Sequence, residues 1–367
     1  MNPYIYFRAL KHAEHTVFCV EDGQKTYFDP QFNRWLAFSS GQQVKRAVLQ
    51  ALTDNLNVPV APITFNYNIT ANKELENKEP WSPCDPTYVD QLLGGWMRAK
   101  MVVSGKSEKK ESEQAKENSV LKRRSPLSIS AMRPLHPLLA GVEKENITFD
   151  RSDRPDYHPI KVRMAGTDRL LTEEEIEDFL NENNRSLSRR TWIPDNKRTT
   201  GLFIYDIAID LRTLFSVSVN QHEPEITKEM IKSLKEKGWI ESVNIFGNCL
   251  VQPKEEREKI IQALADALIN WRITSNQART FSLMETLAVA ISDNANTIAS
   301  AIRAKLIDDG EKPKAKPIID ENVGAELYVT LPCASYIVTE SESAEALENA
   351  KKSLVDKMMS FNYEHQL

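Results

Sequence analysis

Cysteine is scarce in this 367-residue chain, and Cys19, Cys84, Cys249 and Cys333 stand far apart with no CxxC pair among them. That spacing excludes a clustered metal-ligand set and a disulfide framework, so a reducing compartment, the cytoplasm, is expected. No run of eighteen apolar residues occurs, which removes a membrane-spanning helix from consideration. The N-terminus lacks the basic-then-apolar pattern of a signal sequence, and a soluble, intracellular protein is the expectation. No GxxxxGK phosphate loop is present, so nucleotide hydrolysis has no support. A fixed helical or propeller period is absent too.

What is present is an apolar content of 41%, enough for a sizeable core, and a modest net charge of −5. An acidic balance argues against a polyanionic partner only weakly, because binding depends on where the cations sit. Here they are partitioned. Arg98 to Arg133 holds ten Lys/Arg against four Glu, and Arg185 to Arg198 holds five cations against Asp195 alone. Thr172–Glu182 and Asp320–Glu348 carry six and seven acids and no base. Concentrated basic strips are what phosphate binding needs, since several phosphates neutralised together release counterions. Ordinary solvated faces are the alternative for any single strip.

The pattern along the chain mixes strands and helices. Thr16–Val20 is β-branched, and Asp22-Gly23 offers a hairpin turn into Lys25–Phe28. Ser40 and Gln43 have capping-box spacing, and Val44, Ala47, Val48, Ala51 and Leu52 then recur at helical spacing. Residues 57–200 are proline-broken and irregular, with a polar, charged stretch at 104–118 that reads as a mobile loop. Order resumes with a pair of strands in Gly201–Val219 and helices over Pro224–Lys237 and Lys254–Arg272. A strand at Thr286–Ile291, another at Glu326–Val338 and a helix over Ser343–Phe361 close the chain. The expected class is α+β, one domain with a long basic insertion, a sheet with helices packed on one face.

The start of the first helix is the most informative place. In Phe38-Ser39-Ser40-Gly41-Gln42-Gln43-Val44-Lys45-Arg46-Ala47, hydroxyls and amides gather where unpaired N–H groups and the helix dipole favour an anion. Lys45 and Arg46 lie one turn further on, able to flank a phosphate. A plainly capped helix with two solvated cations is the alternative.

This string resembles the Ser-Ser-Gln-x-x-Lys-Arg-Ala signature of the Cas-seven family, the backbone subunits of type I CRISPR Cascade complexes within the RAMP superfamily. Gly41 is an additional residue between the serines and Gln42, and Ala37-Phe38 stands where the family carries a basic residue. The resemblance implies an RRM/ferredoxin-like palm from 1–60 and 200–367. It also implies an inserted finger or web region over 61–184 and a thumb hairpin near 185–200. It implies a non-catalytic protein that holds guide RNA by its phosphates and leaves the bases free to pair, the logic of RNA-guided recognition. The residues it points to are Ser39, Ser40, Gln42, Gln43, Lys45 and Arg46. Arg123, Arg124 and Arg133 in the finger, Arg189, Arg190, Lys197 and Arg198 in the thumb, and Arg279 join them. Implied partners are crRNA, a target nucleic acid (DNA by expectation) reached through the guide, and further copies of the chain. A Cas-five type subunit and large and small subunits complete the set, with no membrane, metal or cofactor.

Two other function classes stay open. One is a RAMP-type endoribonuclease; His12 and His15, or Asp29 in Phe28-Asp29-Pro30, are its candidate residues, although surface histidines and a turn aspartate explain them as well. The other is a scaffolding subunit without nucleic acid. Glu173-Glu174-Glu175 after Thr172 reads as a helix N-terminus rather than a metal site. Trp192, beside Arg189 and Arg190, could stack on a base. Trp81 and Trp96 read as buried anchors.

Overall fold

The computed structural model describes residues 2–18, 24–98, 120–152, 154, 156–167, 169–273 and 283–367, the side chains of 145–147 and 192–196 excepted. Its elements in chain order begin with β1 (Tyr4–Thr16), α1 (Gly41–Leu56), α2 (Val89–Gly94), β2 (Leu127–Ile129), β3 (Arg133–Pro134) and β4 (Ala140–Asp150). There follow α3 (Glu173–Glu182), β5 (Arg190–Asp210), α4 (Lys228–Glu236), α5 (Lys254–Asn270) and β6 (Thr286–Ser292). The chain ends through α6 (Ala295–Ala301), β7 (Glu326–Thr330), β8 (Glu342–Ser343) and α7 (Ala346–Met359). The class is α+β, with a central sheet and seven α-helices among the described residues.

The sheet runs β4-β5-β1-β6-β7-β8, with β2 and β3 also pairing along β5. β1 is antiparallel to both neighbours, Leu10 facing Ile204 on one side and Ala288 on the other. On one face, Phe7, Tyr205 and Trp271 form a chain of rings beneath α5, and the Tyr205 hydroxyl donates to Leu268 O at 2.7 Å. α1 packs on α5 through Val44, Val48 and Leu52, and α5 packs on α7. On the other face Leu10, Leu202, Ile204, Ala288 and Ala290 meet Ile298, Ala301 and Ile302 of α6 and the hairpin after it.

Two compact units result: Met1–Gly141 with Thr199–Leu367, and Val142–Arg198. The expected insertion was longer, 61–184. Its first half belongs to the larger unit because it carries buried apolar residues, among them Leu92, Leu93, Leu121, Leu127 and Met132. The smaller unit holds the outer part of β4, the start of β5, and α3. α3 starts at Glu173 with three acids in its first turn, the helix N-terminus that the sequence reading expected, and Thr172 and Glu175 add a reciprocal capping box. None of the described residues of this unit is buried.

Several element readings change. The central strand is Tyr4–Thr16, and Lys25–Phe28 pairs forward with Arg34–Ala37 instead of backward. The pair of strands expected in Gly201–Val219 is present as the end of β5 and a short strand at Ser216–Ser218, though β5 begins earlier, at Arg190. Glu326–Val338 stops as a strand at Thr330 and turns into a short 3-10 helix containing Pro332, since proline cannot donate to a ladder. The polar stretch 104–118 lies outside the described residues.

β1 escaped notice because two cations interrupt its apolar pattern. Lys11 is buried; its Nζ donates to Thr286 Oγ1 at 2.8 Å and to Ile269 O at 3.3 Å, and sits 5.4 Å from the Trp271 ring centre. The ammonium thus meets the C-terminal carbonyls of α5, the negative end of the helix. Burial pushes its pKa down to about 7. An unfolded lysine titrates near 10.4, so between those values the unfolded chain binds more protons and the fold gains stability as pH rises. Chemical denaturation at pH about 7 and about 9 should show this gain in the wild type, with a flatter dependence in Lys11→Met.

Candidate nucleic-acid interface

Ser40 is the N-cap of α1: its Oγ accepts from Gln43 N at 3.3 Å, while its backbone is extended. The reciprocal half of the expected capping box is absent, and Gln43 Nε2 is buried without a hydrogen-bond partner, as is Ser39 Oγ. Ser39 is fully buried and forms a two-hydrogen-bond bridge with Met132, both bonds at 3.0 Å. That bridge seats the start of α1 on the loop between β2 and β3.

Gly41 is explained by the same contact. A Cβ there would lie 2.7 Å from Ile129 O and 3.2 Å from Ser130 C. The backbone can approach the loop this closely only if the residue has no side chain. The residue that departs from the family signature is therefore the one that lets the loop close on the helix.

The loop is anchored in turn by Asp206 of β5. Ser130 N donates to Asp206 O at 2.9 Å, and Asp206 N donates to Ser130 Oγ at 2.8 Å. The Asp206 carboxylate takes Arg8 in a two-pronged pair at 2.6 and 3.1 Å and Arg133 at 3.1 Å. Arg133 keeps its side chain 40% exposed. Ser40, Gln42 and Lys45 stand at the start of α1, and Arg133 follows Met132, whose backbone bridges to Ser39. Lys45 is half-buried, and desolvation lowers its pKa; a phosphate beside it would favour the charged form.

Arg46 points to another side of α1, into a cavity of about 1280 Å³ shared with Gln43, Lys11, Trp271 and Arg272. The cavity wall also holds Asp54, Asp266, Glu285 and Glu348. Its mixed charge does not suit a polyanion.

The remaining predicted residues scatter. Arg123 is a correction: it is buried, and its guanidinium is consumed by Leu92 O at 3.2 Å, Thr213 O at 2.7 Å and Glu225 Oε2 at 3.0 Å. It also lies over Trp96, whose indole donates to Glu225 O. This arginine holds the fold and has nothing left for a phosphate. Arg124, next along, is exposed. Arg190 belongs to the smaller unit and is engaged in a two-pronged pair with Asp150 at 2.6 and 3.0 Å, which lowers the Asp150 pKa. Arg189, Lys197 and Arg198 lie in the same unit. Arg279 and the Trp192 side chain fall outside the described residues.

The other chemistry offered by the sequence is placed as follows. His12 lies on β1, its ring stacked on Tyr336 at 4.2 Å and its Nδ1 3.0 Å from the Tyr336 hydroxyl. Among the described residues no group of three His, Cys, Asp or Glu is arranged to hold a metal. Asp29 Oδ1 accepts from Phe32 N at 2.9 Å and closes the Thr26–Ala37 hairpin turn, not a helix approach. Cys84, Cys249 and Cys333 are free and buried. Among the described residues no helix is long and apolar enough to cross a membrane.

Sequence reasoning missed this hairpin, Thr26–Asp29 with Arg34–Ala37, and the aromatic pair it displays. The alternation of Tyr27, Phe28, Trp35 and Leu36 around Pro30 and Asn33 was the available signal.

The chain matches no protein-family model and no curated protein. Among solved structures it is similar to a chain described as "CRISPR RNA-guided surveillance complex, pre-nicking", at 10% identity and TM-score 0.43, covering 96% of this chain and 89% of that one. A second, described as "CRISPR RNA-guided surveillance complex", has 10% identity and TM-score 0.36, covering 97% and 83%.

Two stability outcomes follow from the contacts. Gly41→Ala should cost about 1–3 kcal/mol, because the clash is with backbone that cannot swing aside. Arg123→Ala should cost about 3–5 kcal/mol by leaving Glu225 without its buried partner, whereas Arg124→Ala should leave the thermal melting curve in place. Parallel melts of the three variants check both.

Proposed function

We propose that this chain is a non-catalytic RNA-binding protomer, repeated along a guide RNA in a CRISPR interference complex of the Cascade type. The observation that carries the reading is the N-terminus of α1. Ser40 caps it, Lys45 stands one turn in, and the Ser39–Met132 bridge brings Arg133 beside it. The positive end of the helix dipole, the exposed Gln42 amide, Lys45 and Arg133 would together make the phosphate seat, while the buried Ser39 hydroxyl, named in the sequence reading, takes no part.

The resemblance of Ser39–Ala47 to the Cas-seven signature supports the reading. So does the element sequence β1-α1-β4-β5-α5-β6 with spatial order β4-β5-β1-β6, the arrangement expected if this sheet serves as an RRM/ferredoxin-like palm. In this assignment the smaller unit, 142–198, takes the thumb role, extending upstream from the 185–200 expected. A unit with no buried residue among those described gains most from packing against another molecule. Partners in this reading are crRNA, further copies of the chain, a Cas-five type subunit, large and small subunits, and the target strand paired to the guide.

Lys45→Glu should strip co-purifying RNA, read as the ultraviolet absorbance ratio of the purified protein, with melting temperature unchanged, whereas Arg46→Glu should retain it. Binding of the wild type to single-stranded RNA should weaken steeply as salt rises, each neutralised phosphate adding about 0.7 to the log–log slope. RNA retention by Lys45→Glu, equal to wild type, would falsify the assignment.

A further inference from the structure

The hairpin that leads into α1 carries two large, exposed aromatic side chains, Phe28 and Trp35. Phe28 and Trp35 face each other across the hairpin in register, with ring centres 5.6 Å apart, and Trp35 is 61% exposed. The opposite face of the same two strands is engaged: Leu36 is fully buried, Arg34 donates to Pro137 O at 3.2 Å, and Tyr27 and Asp29 share that side. The hairpin is therefore held from behind and shows two rings outward. We propose that Phe28 and Trp35 form a stacking platform for a base of single-stranded RNA, adjoining the phosphate seat at the start of α1.

Three observations favour a nucleobase over a protein partner. The first is continuity. Trp35 precedes Ser40 by five residues, about 17 Å of chain at ~3.3 Å per residue, so a bound strand of a few nucleotides reaches both. The second is charge. The one acid of the hairpin, Asp29, lies on the face away from the rings with its Oδ1 tied to Phe32 N, so no carboxylate of the hairpin shares the ring face. The third is composition. The exposed pair consists of rings alone, which accept any base by its π-face. The hairpin Thr64–Ile69 with Leu75–Trp81, by contrast, exposes Ile69 and Leu75 beside Phe65 and Tyr67, an aliphatic mixture suited to protein contact. Both aromatics protrude from secure backbone, so their replacement should leave the fold intact.

This platform rests on the RNA-binding reading, and the experiment separates the two. Full-length protein is titrated against a labelled single-stranded oligoribonucleotide and against the same oligomer carrying abasic residues, with fluorescence anisotropy as the readout. Trp35→Ala should weaken binding of the base-bearing strand about tenfold, within the range for one lost base stack, and Trp35→Phe should restore most of it. The abasic strand should bind wild type and Trp35→Ala alike. Equal affinity of Trp35→Ala and wild type for the base-bearing strand, with Lys45→Glu still defective, overturns the platform and leaves the phosphate reading standing. Unchanged RNA affinity joined to lost self-association in Trp35→Ala overturns it in favour of a protein contact. Wild-type protein that binds neither oligomer at any salt overturns both.

Discussion

The Asp206 carboxylate is the constraint on which the rest of the molecule turns. It sits on the long strand β5 and pairs with Arg8 from the central strand and Arg133 from the loop in front of the sheet. Arg8 also donates to Ile302 O at 3.0 Å, so the same group reaches the layer behind the sheet. One anion thereby registers β5 against β1 and presses the 130–133 loop onto the strand. The loop then receives Ser39 through two backbone hydrogen bonds and fixes where α1 begins. Removing Asp206 itself would leave Arg8, which is buried, without its carboxylate, and that costs more than the pair itself contributes.

The proposed phosphate seat is thus a product of the sheet rather than of the helix alone. A capped helix is a local object; the arginine beside it comes from ninety residues further along the chain. Gly41 shows how tight the junction is, because backbone meets backbone where any side chain would stand. The aromatic hairpin belongs to the same arrangement. It is pinned from behind by Arg34 and Leu36, and it delivers the chain directly into Ser39. Phosphates, base and backbone of a single strand would each meet a different part of one continuous segment.

Charge runs in a sequence tell how many cations there are, not what they do. Arg123 and Arg124 are neighbours in the same basic strip, yet one is buried on three protein acceptors and the other faces solvent. A similar lesson holds for Lys11 and Arg8. Both are central-strand residues whose charge is met by groups far away in sequence.

Local signals sufficed for much of this protein. Ser40 and the spacing of Val44, Val48 and Leu52 located α1, Thr172 and its three glutamates located α3, and the apolar pattern of Ile260, Ile261, Leu264 and Leu268 located α5, because caps and helical periodicity act over a few residues. The β-rich segments after Gly201 and at Thr286 were legible for the same reason. What only the tertiary structure decided is which strand is central, which cations are consumed by the fold, and which aromatics stay outside. Those outcomes depend on partners separated by a hundred residues or more, and desolvation of a charge is settled only when its distant partner arrives.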